Sequence, residues 1–379
     1  MTAIIGLIII VLVGVYLLFQ LTHLLFWWKV AATVDKPESG EAWPTVTLIV
    51  AARNEAKHLP FLLKDLKALD YPSDALEIVV VDDFSSDDTA AIARKFEGIR
   101  VLQLSDHIPD PNSIVAHKKA AITYAIAKSE SDIVVTTDAD CRWQAGGLKV
   151  LIARWQQGQF RSGPVLIEPS SGFLYGFQSL DMLSYMFLTG AFAARNKPIL
   201  ANGANLAIDR QLFDQVKGYR GVDHIASGDD VLLLHKINQA NLSRRVRFMA
   251  NPKSVVLTQG MTSWTAFWQQ RLRWAGKTGH YKNMHLVWAQ VVAFSASAAL
   301  VAGLMLSLFD VRLLTLTVLA WVLKIACDGI ILRVLCKHFD RLEDFRWYLP
   351  SALLYPFYLL AIGTAALMGV KAKWKGRKV

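Results

Sequence analysis

The sequence predicts an α/β domain with a mostly parallel sheet, set between apolar helices at the two ends of the chain. Three observations predict it. Continuous apolar runs at 46–51, 78–81 and 133–137 alternate with helical patterns at 56–69, 89–96 and 118–128. Residues 3–28 form an apolar run without Asp, Glu, Lys or Arg. Three further apolar segments, 286–309, 313–335 and 347–370, close the chain. Unbroken apolar runs suit strands covered on both faces, and strand–helix–strand alternation makes such strands parallel.

The N-terminal run is long enough to span a hydrocarbon core of about 30 Å at about 1.5 Å per residue. It lacks the basic leader and short apolar stretch of a cleaved signal, so residues 1–29 are expected to be a retained anchor. Trp27 and Trp28 suit the membrane interface, with Lys29 just inside. Residues 30–43 follow as a linker, and 44–260 as the α/β domain. Within it, the aromatic-rich stretch 171–194 holds Gln178 and Asp181, which argue against a span. A helix in the membrane interface, or one covering the active site, is expected there. Residues 261–284 contain an amphipathic helix rich in Trp and Arg. Residues 285–371 carry about three membrane helices, and 372–379 a basic tail.

The second C-terminal segment holds Lys324 and Asp328 at i,i+4 spacing, a pair that neutralises itself inside a bundle. Three full crossings would put the basic tail outside, against its preference for the inside. Pro350 and Pro356 could break the last segment. The net charge is +10 and 53% of the 379 residues are apolar. The basic residues crowd the membrane flanks, as at Lys371, Lys373, Lys375, Arg377 and Lys378. No basic stripe with interleaved aromatics is present, so nucleic acid is not an expected partner. Cys141, Cys327 and Cys336 have no metal-ligand spacing, which agrees with a reducing compartment.

The chemistry gathers where the apolar runs end. Asp138 and Asp140 follow the run 133–137 at i,i+2, so in extended chain both point to one side. Like charges so close call for a cation, and hard carboxylate oxygens suit Mg²⁺ or Mn²⁺. A solvated acidic turn is the plainer alternative. Asp82 and Asp83 end the run 78–81 and can accept hydrogen bonds from a base or ribose. Asp87 or Asp88 reads as a helix cap. The first run leads into Ala52, Arg53, Asn54 and Glu55. Lys118 and Lys119 open a helix, where a bound phosphate would explain their charge and a solvated lysine is the equal alternative. Asp229 and Asp230 begin another helix, as caps or with one as a general base. Gln270, Arg273 and Trp274 stand at i, i+3 and i+4 on one helical face. Arg can clamp a diphosphate, and Trp can stack on a sugar or pack on lipid.

Taken together and in order, these motifs resemble the membrane-bound branch of the family 2 glycosyltransferases of GT-A fold, which is Rossmann-like. That branch includes cellulose, hyaluronan and chitin synthases and ceramide glucosyltransferases. The likeness runs from about Trp43 to Trp274. It implies that Ala52, Asn54, Glu55, Asp82, Asp83 and Lys118 belong to the donor nucleotide site, with Asp82 or Asp83 on the uracil or ribose. It places Asp138 and Asp140 on the donor, with Asp140 holding the metal, and makes Asp230 the catalytic base. Gln270, Arg273 and Trp274 would close over the donor diphosphate, with Trp274 also near the acceptor. Asn202, Gly203, Asn205 and Asp229 would line the acceptor. The chain departs from the family at Asp229, where Glu is frequent, and at His117, where Gly is frequent.

The resemblance implies a metal-dependent inverting transfer from a UDP-sugar to a lipid-linked or glycan acceptor. The enzyme would sit among lipids of the cytoplasmic membrane, its catalytic domain facing the cytosol. A processive polysaccharide synthase is the alternative; a non-enzymatic membrane protein with a degenerate sugar-nucleotide domain, or a nucleotidyltransferase, is remoter. The small number of membrane helices favours a lipid acceptor over an export channel.

Overall fold

The computed structural model describes residues 2–32, 43–276 and 283–370, together with the backbone of 373–374 and 377–378. It divides into two compact units. One comprises residues 29–168 and 192–259, the other residues 1–28, 169–191 and 260–379. The α/β domain is therefore interrupted: residues 169–191, expected inside it, cluster with the apolar helices. The expected linker lies largely outside the described residues. So does most of the basic tail.

The chain opens with helix α1 (Thr2–Ala32). The α/β unit then runs β1 (Val46–Ala52), α2 (Leu59–Lys67), β2 (Leu76–Asp82), α3 (Thr89–Arg94), β3 (Ile99–Gln103), α4 (His117–Ala127) and β4 (Ile133–Asp138). It continues through β5 (Cys141–Trp143), α5 (Gly147–Ile152), β6 (Phe160–Ser162) and β7 (Val165–Ile167). Helix α6 (Phe173–Ala194) follows. The unit resumes with β8 (Leu206–Asp209), α7 (Arg210–Gln215), α8 (Asp229–Gln239), β9 (Val246–Phe248) and β10 (Val256–Thr258). The three apolar runs became β1, β2 and β4, each one or more residues longer than the run itself.

The main sheet has seven strands in the order β3-β2-β1-β4-β8-β6-β9. Its first half is parallel, and β8 pairs antiparallel with both β4 and β6. A second sheet has the order β5-β10-β7. Leu48, Val50, Val80 and Val135 point to one face of the main sheet and join Leu59, Leu62, Leu63 and Leu66 of α2. Ile49, Val79, Val81 and Val134 fill the other face with Ile122, Ala125 and Ile126 of α4. Both faces are covered, as unbroken apolar strands require. Register is what positions the site. Ala52 of β1 stands beside Asp82 of β2, and Ala51 beside Asp138 of β4. The strand ends that carry acids thus share one carboxyl edge, where β1 is flanked by β2 and β4 and open α/β sheets bind ligands.

The second unit continues with α9 (Trp264–Ala275), α10 (Met284–Leu306), α11 (Arg312–His338) and α12 (Tyr348–Leu367), then a ribbon of β11 (Lys373–Trp374) and β12 (Arg377–Lys378). Three helical segments among the described residues are long and apolar enough to cross a membrane: Thr2–Ala32, Met284–Leu306 and Leu342–Leu367. Helix α11 forms where the second C-terminal segment was expected but is not among them. Inside it Lys324 and Asp328 pair at 2.6 Å, and the Tyr16 hydroxyl donates to Asp328 at 2.8 Å. This is the self-neutralising arrangement. Helices α1 and α11 run side by side in one direction. Thr2 bonds Asp310 ahead of α11, and Trp27 meets Phe339 just after it.

Pro356 sits inside α12 without breaking it. Pro350 occupies the first turn, where an amide has no intrahelical partner to lose. Helix α6 is buried along most of its length, so it is not an interfacial helix with one lipid face. Its Asp181 pairs with the buried Arg271 of α9 at 2.7 Å, and the Tyr355 hydroxyl donates to Asp181 at 3.1 Å.

Candidate active site

The loop after β1 is built from its own polar side chains. Asn54 adopts a positive φ of 51°, which Asn tolerates better than most residues. Its side-chain oxygen accepts from the Ser86 amide at 2.8 Å, and its own amide donates to Ser85 Oγ at 3.0 Å. The Glu55 amide donates to Thr89 Oγ1 at 2.8 Å, and Glu55 Oε2 meets His58 Nδ1 at 2.9 Å. Asp87, rather than Asp88, does the capping. It accepts from the amides of Thr89 and Ala56 at 3.1 Å each. The loops after β1 and β2 are thereby locked together, and Asn54 acts as a hinge pin between them.

Asp82 and Asp83 are 4% and 7% exposed. Oδ1 of Asp82 is buried without a hydrogen-bond partner. Asp83 meets Nδ1 of His117 at 2.5 Å, and Phe84 packs edge-on to that imidazole. Burial pushes the Asp83 carboxyl above its ordinary value, and the attraction of His117 offsets part of that rise. His117, where the sequence departs from the family's frequent Gly, is thus a working partner of Asp83. Sequence reading gave His117 no such role; a contact spanning 34 residues leaves no local signal.

At the end of β4, Asp138 receives Lys118 Nζ at 2.6 Å. The same ammonium reaches Asp229 Oδ2 at 3.0 Å. Burial opposes the charge on Lys118, but Asp138, Asp229 and Asp230 outweigh it and hold its pKa well above the usual lysine range. The charge that Lys118 brings to the start of α4 is thus met by the carboxylates of Asp138 and Asp229. Asp140 lies in the turn between β4 and β5. The neighbouring Cys141 is a protonated thiol, pushed well up by burial and by the charges of Asp140 and Asp138.

Asp230 opens α8 after Gly228, whose φ of 79° turns the chain into the helix. Its two oxygens accept from Gly203 N at 3.0 Å and Val231 N at 2.7 Å. Gly203 is needed as glycine: a Cβ there would stand 2.7 Å from Asp229 Oδ2 and 3.1 Å from Lys118 Nζ. Thr136 fixes the same residue by donating to its carbonyl at 2.7 Å. Asn202 caps the turn, accepting from Ala204 N at 3.0 Å.

Asn205 corrects an expectation. It was assigned to the acceptor, but it is fully buried, with its amide donating to Pro164 O at 3.0 Å and Ser254 O at 2.7 Å. It ties β7 and β10 to the loop and reaches no surface. Gln270, Arg273 and Trp274 lie on α9, in the apolar-helix unit. There Arg271 donates to Gln270 Oε1 at 2.8 Å and stacks 4.2 Å over Trp274.

The donor set fits a hard divalent cation in one respect. Two carboxylates two residues apart stand at the sheet edge, and Mg²⁺ typically takes one or two carboxylates plus substrate phosphates. No cluster of three ligating side chains occurs among the described residues, so a protein-only cage is not formed.

A seven-stranded, mostly parallel sheet with acids along one carboxyl edge defines the GT-A-like class of α/β folds. Residues 133–331 match the family described as glycosyl transferase family group 2, and residues 47–216 the family described as glycosyl transferase family 2. The first match spans more than half of the chain, and the chain belongs to that family. It is 27% identical over 248 residues to the probable glycosyltransferase YdaM of Bacillus subtilis (strain 168), covering 63% of this chain and 56% of that one. It is 27% identical over 246 residues to a beta-monoglucosyldiacylglycerol synthase of Synechocystis, covering 62% and 47%. The chain thus spans about half the length of these curated relatives. The mannosyltransferase PcManGT from Pyrobaculum calidifontis, solved with GDP-Man and Mn²⁺, aligns with a TM-score of 0.56 at 21% identity, over 93% of this chain and 99% of that one. At that identity the likeness speaks for the fold.

Proposed function

We propose that this chain is a membrane-bound inverting glycosyltransferase that moves a sugar from a UDP-sugar to the hydroxyl of a lipid. The observation that carries the reading is the shared carboxyl edge. It gathers Asp82 and Asp83 at the end of β2 and Asp138 at the end of β4, the two strands that flank β1, and Lys118 links Asp138 to the Asp229–Asp230 corner. That clustering supports reading these acids as nucleotide-binding and Asp230 as the base.

In this reading Asp82 or Asp83, the latter held by His117, receives the base or ribose. Asp230 takes the proton of the acceptor hydroxyl. The hydroxyl oxygen bonds to the anomeric carbon as the bond to the diphosphate oxygen breaks, and the electron pair leaves with UDP. One displacement inverts the anomeric centre. Asp140, with Asp138, would hold a divalent cation, which when bound neutralises charge on the departing diphosphate. Because Lys118 engages Asp138, the larger share of that task falls to Asp140.

The lipid acceptor is supported by the three segments long enough to cross a membrane and by the diacylglycerol named in the Synechocystis relative. The cytoplasmic membrane, with the α/β unit facing the cytosol, is where a UDP-sugar would be met. The test is a screen of UDP-hexoses and GDP-mannose against diacylglycerol and a total lipid extract in detergent micelles. It follows released nucleoside diphosphate and lipid products on thin layers. UDP release with a new glycolipid is the expected result. A long polymer, or pyrophosphate as the released product, would refute the reading.

A further inference from the structure

Lys118 and Lys119 are consecutive in the first turn of α4, so their side chains leave the helix about 100° apart. Lys118 enters the acid-lined edge. Lys119 goes elsewhere: it is 2% exposed, and its ammonium donates to the carbonyls of Val222 at 2.8 Å, Ile225 at 2.7 Å and Ser227 at 3.2 Å. An ammonium has three N–H donors, and all three are met by carbonyls of one loop.

That loop joins α7 to α8 and holds no regular element from 217 to 228. Its last pinned residue, Ser227, is two residues before Asp229 and three before Asp230. Between them stands Gly228 in the left-handed conformation, where the chain changes direction. The first part of the loop is steadied by the buried Tyr219, by Val222 packed on the core, and by Lys236, whose ammonium donates to the carbonyls of Gly218 at 2.5 Å and Arg220 at 2.7 Å; from 223 to 227 no residue is buried. Ala226 and Ser227 are half-buried, and Asp223 and His224 are exposed. Over the part that leads into α8, Lys119 supplies three hydrogen bonds, to the carbonyls of Val222, Ile225 and Ser227.

We propose that Lys119 is a positioning residue for the catalytic base, fixing the loop that delivers Asp230 while Lys118 fixes Asp229 against Asp138. The inference rests on the reading of Asp230 as the base. The two lysines clamp the Asp229–Asp230 corner from two sides, and both come from one rigid helix turn that also borders β4. The distance from base to donor edge is then set by α4, not by the loop. Lys119 touches no reacting atom; it acts through the backbone. Losing it should leave the donor site on β1, β2 and β4 intact and misplace only the base. A misplacement of about 1 Å can lower turnover roughly 100-fold.

The test uses the whole chain in detergent with the Lys119→Met variant, which keeps the apolar stem and removes the ammonium and its donors. UDP binding is measured by calorimetry with Mn²⁺. Turnover is measured as UDP release from the donor and acceptor that the wild type uses. Backbone exchange of residues 222–231 is followed by hydrogen–deuterium exchange. The expected result is a kcat lower by roughly 10- to 100-fold, UDP affinity within about twofold of wild type, and faster exchange confined to 222–231. If Lys119→Met does not fold, Lys119→Gln, which keeps two donors, replaces it and should show the same pattern at smaller amplitude. Unchanged exchange at 222–231, or UDP affinity falling in step with kcat, overturns the proposal. Asp230→Asn run in parallel separates the two readings. An active Asp230→Asn removes the base assignment itself, whereas an inactive Asp230→Asn beside a fully active Lys119→Met removes only the role of Lys119.

Discussion

Nδ1 of His117 lies 2.5 Å from Oδ1 of Asp83, with both side chains buried. Burial raises the Asp83 carboxyl and His117 pulls it partly back, so this pair sets the pH at which the carboxylate is present. His117→Ala removes the attraction and should move that midpoint upward. UDP affinity, followed by calorimetry as the pH is lowered, should then begin to fall at higher pH than in wild type, with a gap of roughly 3- to 10-fold before the carboxyl is protonated in both. Superimposable pH profiles would show that the pair does not tune nucleotide binding.

Gly203 leaves no room for a methyl group beside Asp229. Gly203→Ala should push Asp229 off Lys118 and disturb the amide that orients Asp230. A loss of about tenfold or more in kcat is expected, with the melting temperature changed by only a few degrees. Unaltered turnover would mean that the corner yields without consequence.

His235 is buried in α8, and burial pushes its imidazole down to about 4. In the unfolded chain the ring titrates near about 6.5. Between those values the unfolded state binds a proton that the folded state refuses. Its contribution to stability is therefore complete above about pH 6.5 and is lost as pH falls toward 4. The full difference is about 3 kcal/mol. His235→Leu should flatten the fall of melting temperature between about pH 7.5 and 5. Equal slopes for variant and wild type would contradict this.

Removing divalent cations should weaken UDP binding, and Asp140→Asn should abolish the part of the affinity that Mn²⁺ restores while leaving the metal-free part unchanged. Calorimetry with and without chelator reads both. An Asp140→Asn protein that still responds fully to Mn²⁺ would place the cation elsewhere.

Much of this architecture was legible in the sequence because its strongest signals are local. The runs that became β1, β2 and β4 are apolar on both faces, and the acids that follow them are adjacent in sequence. What stayed hidden is either short or distant. Strands β5, β6, β7, β9 and β10 have three residues each, too few for a period to show. Helix α4 begins after Ala116, which offers no side-chain cap, so its start one residue earlier than expected carried no mark. The partners of His117, Lys118 and Lys119 lie 20 to 111 residues away along the chain. Composition carries no trace of such pairings. Asn205 misled for the same reason: its place in the motif was visible, but the burial that points it inward comes from Gly163, Pro164 and Ser254.

The most direct measurement of the central claim compares Asp230→Asn with wild type in UDP binding and sugar transfer. Asparagine keeps the shape and its acceptor oxygen but is a poor base. The account predicts UDP affinity within about twofold of wild type and transfer reduced by roughly 100-fold or more. Transfer at the wild-type rate, with UDP affinity likewise intact, would contradict it.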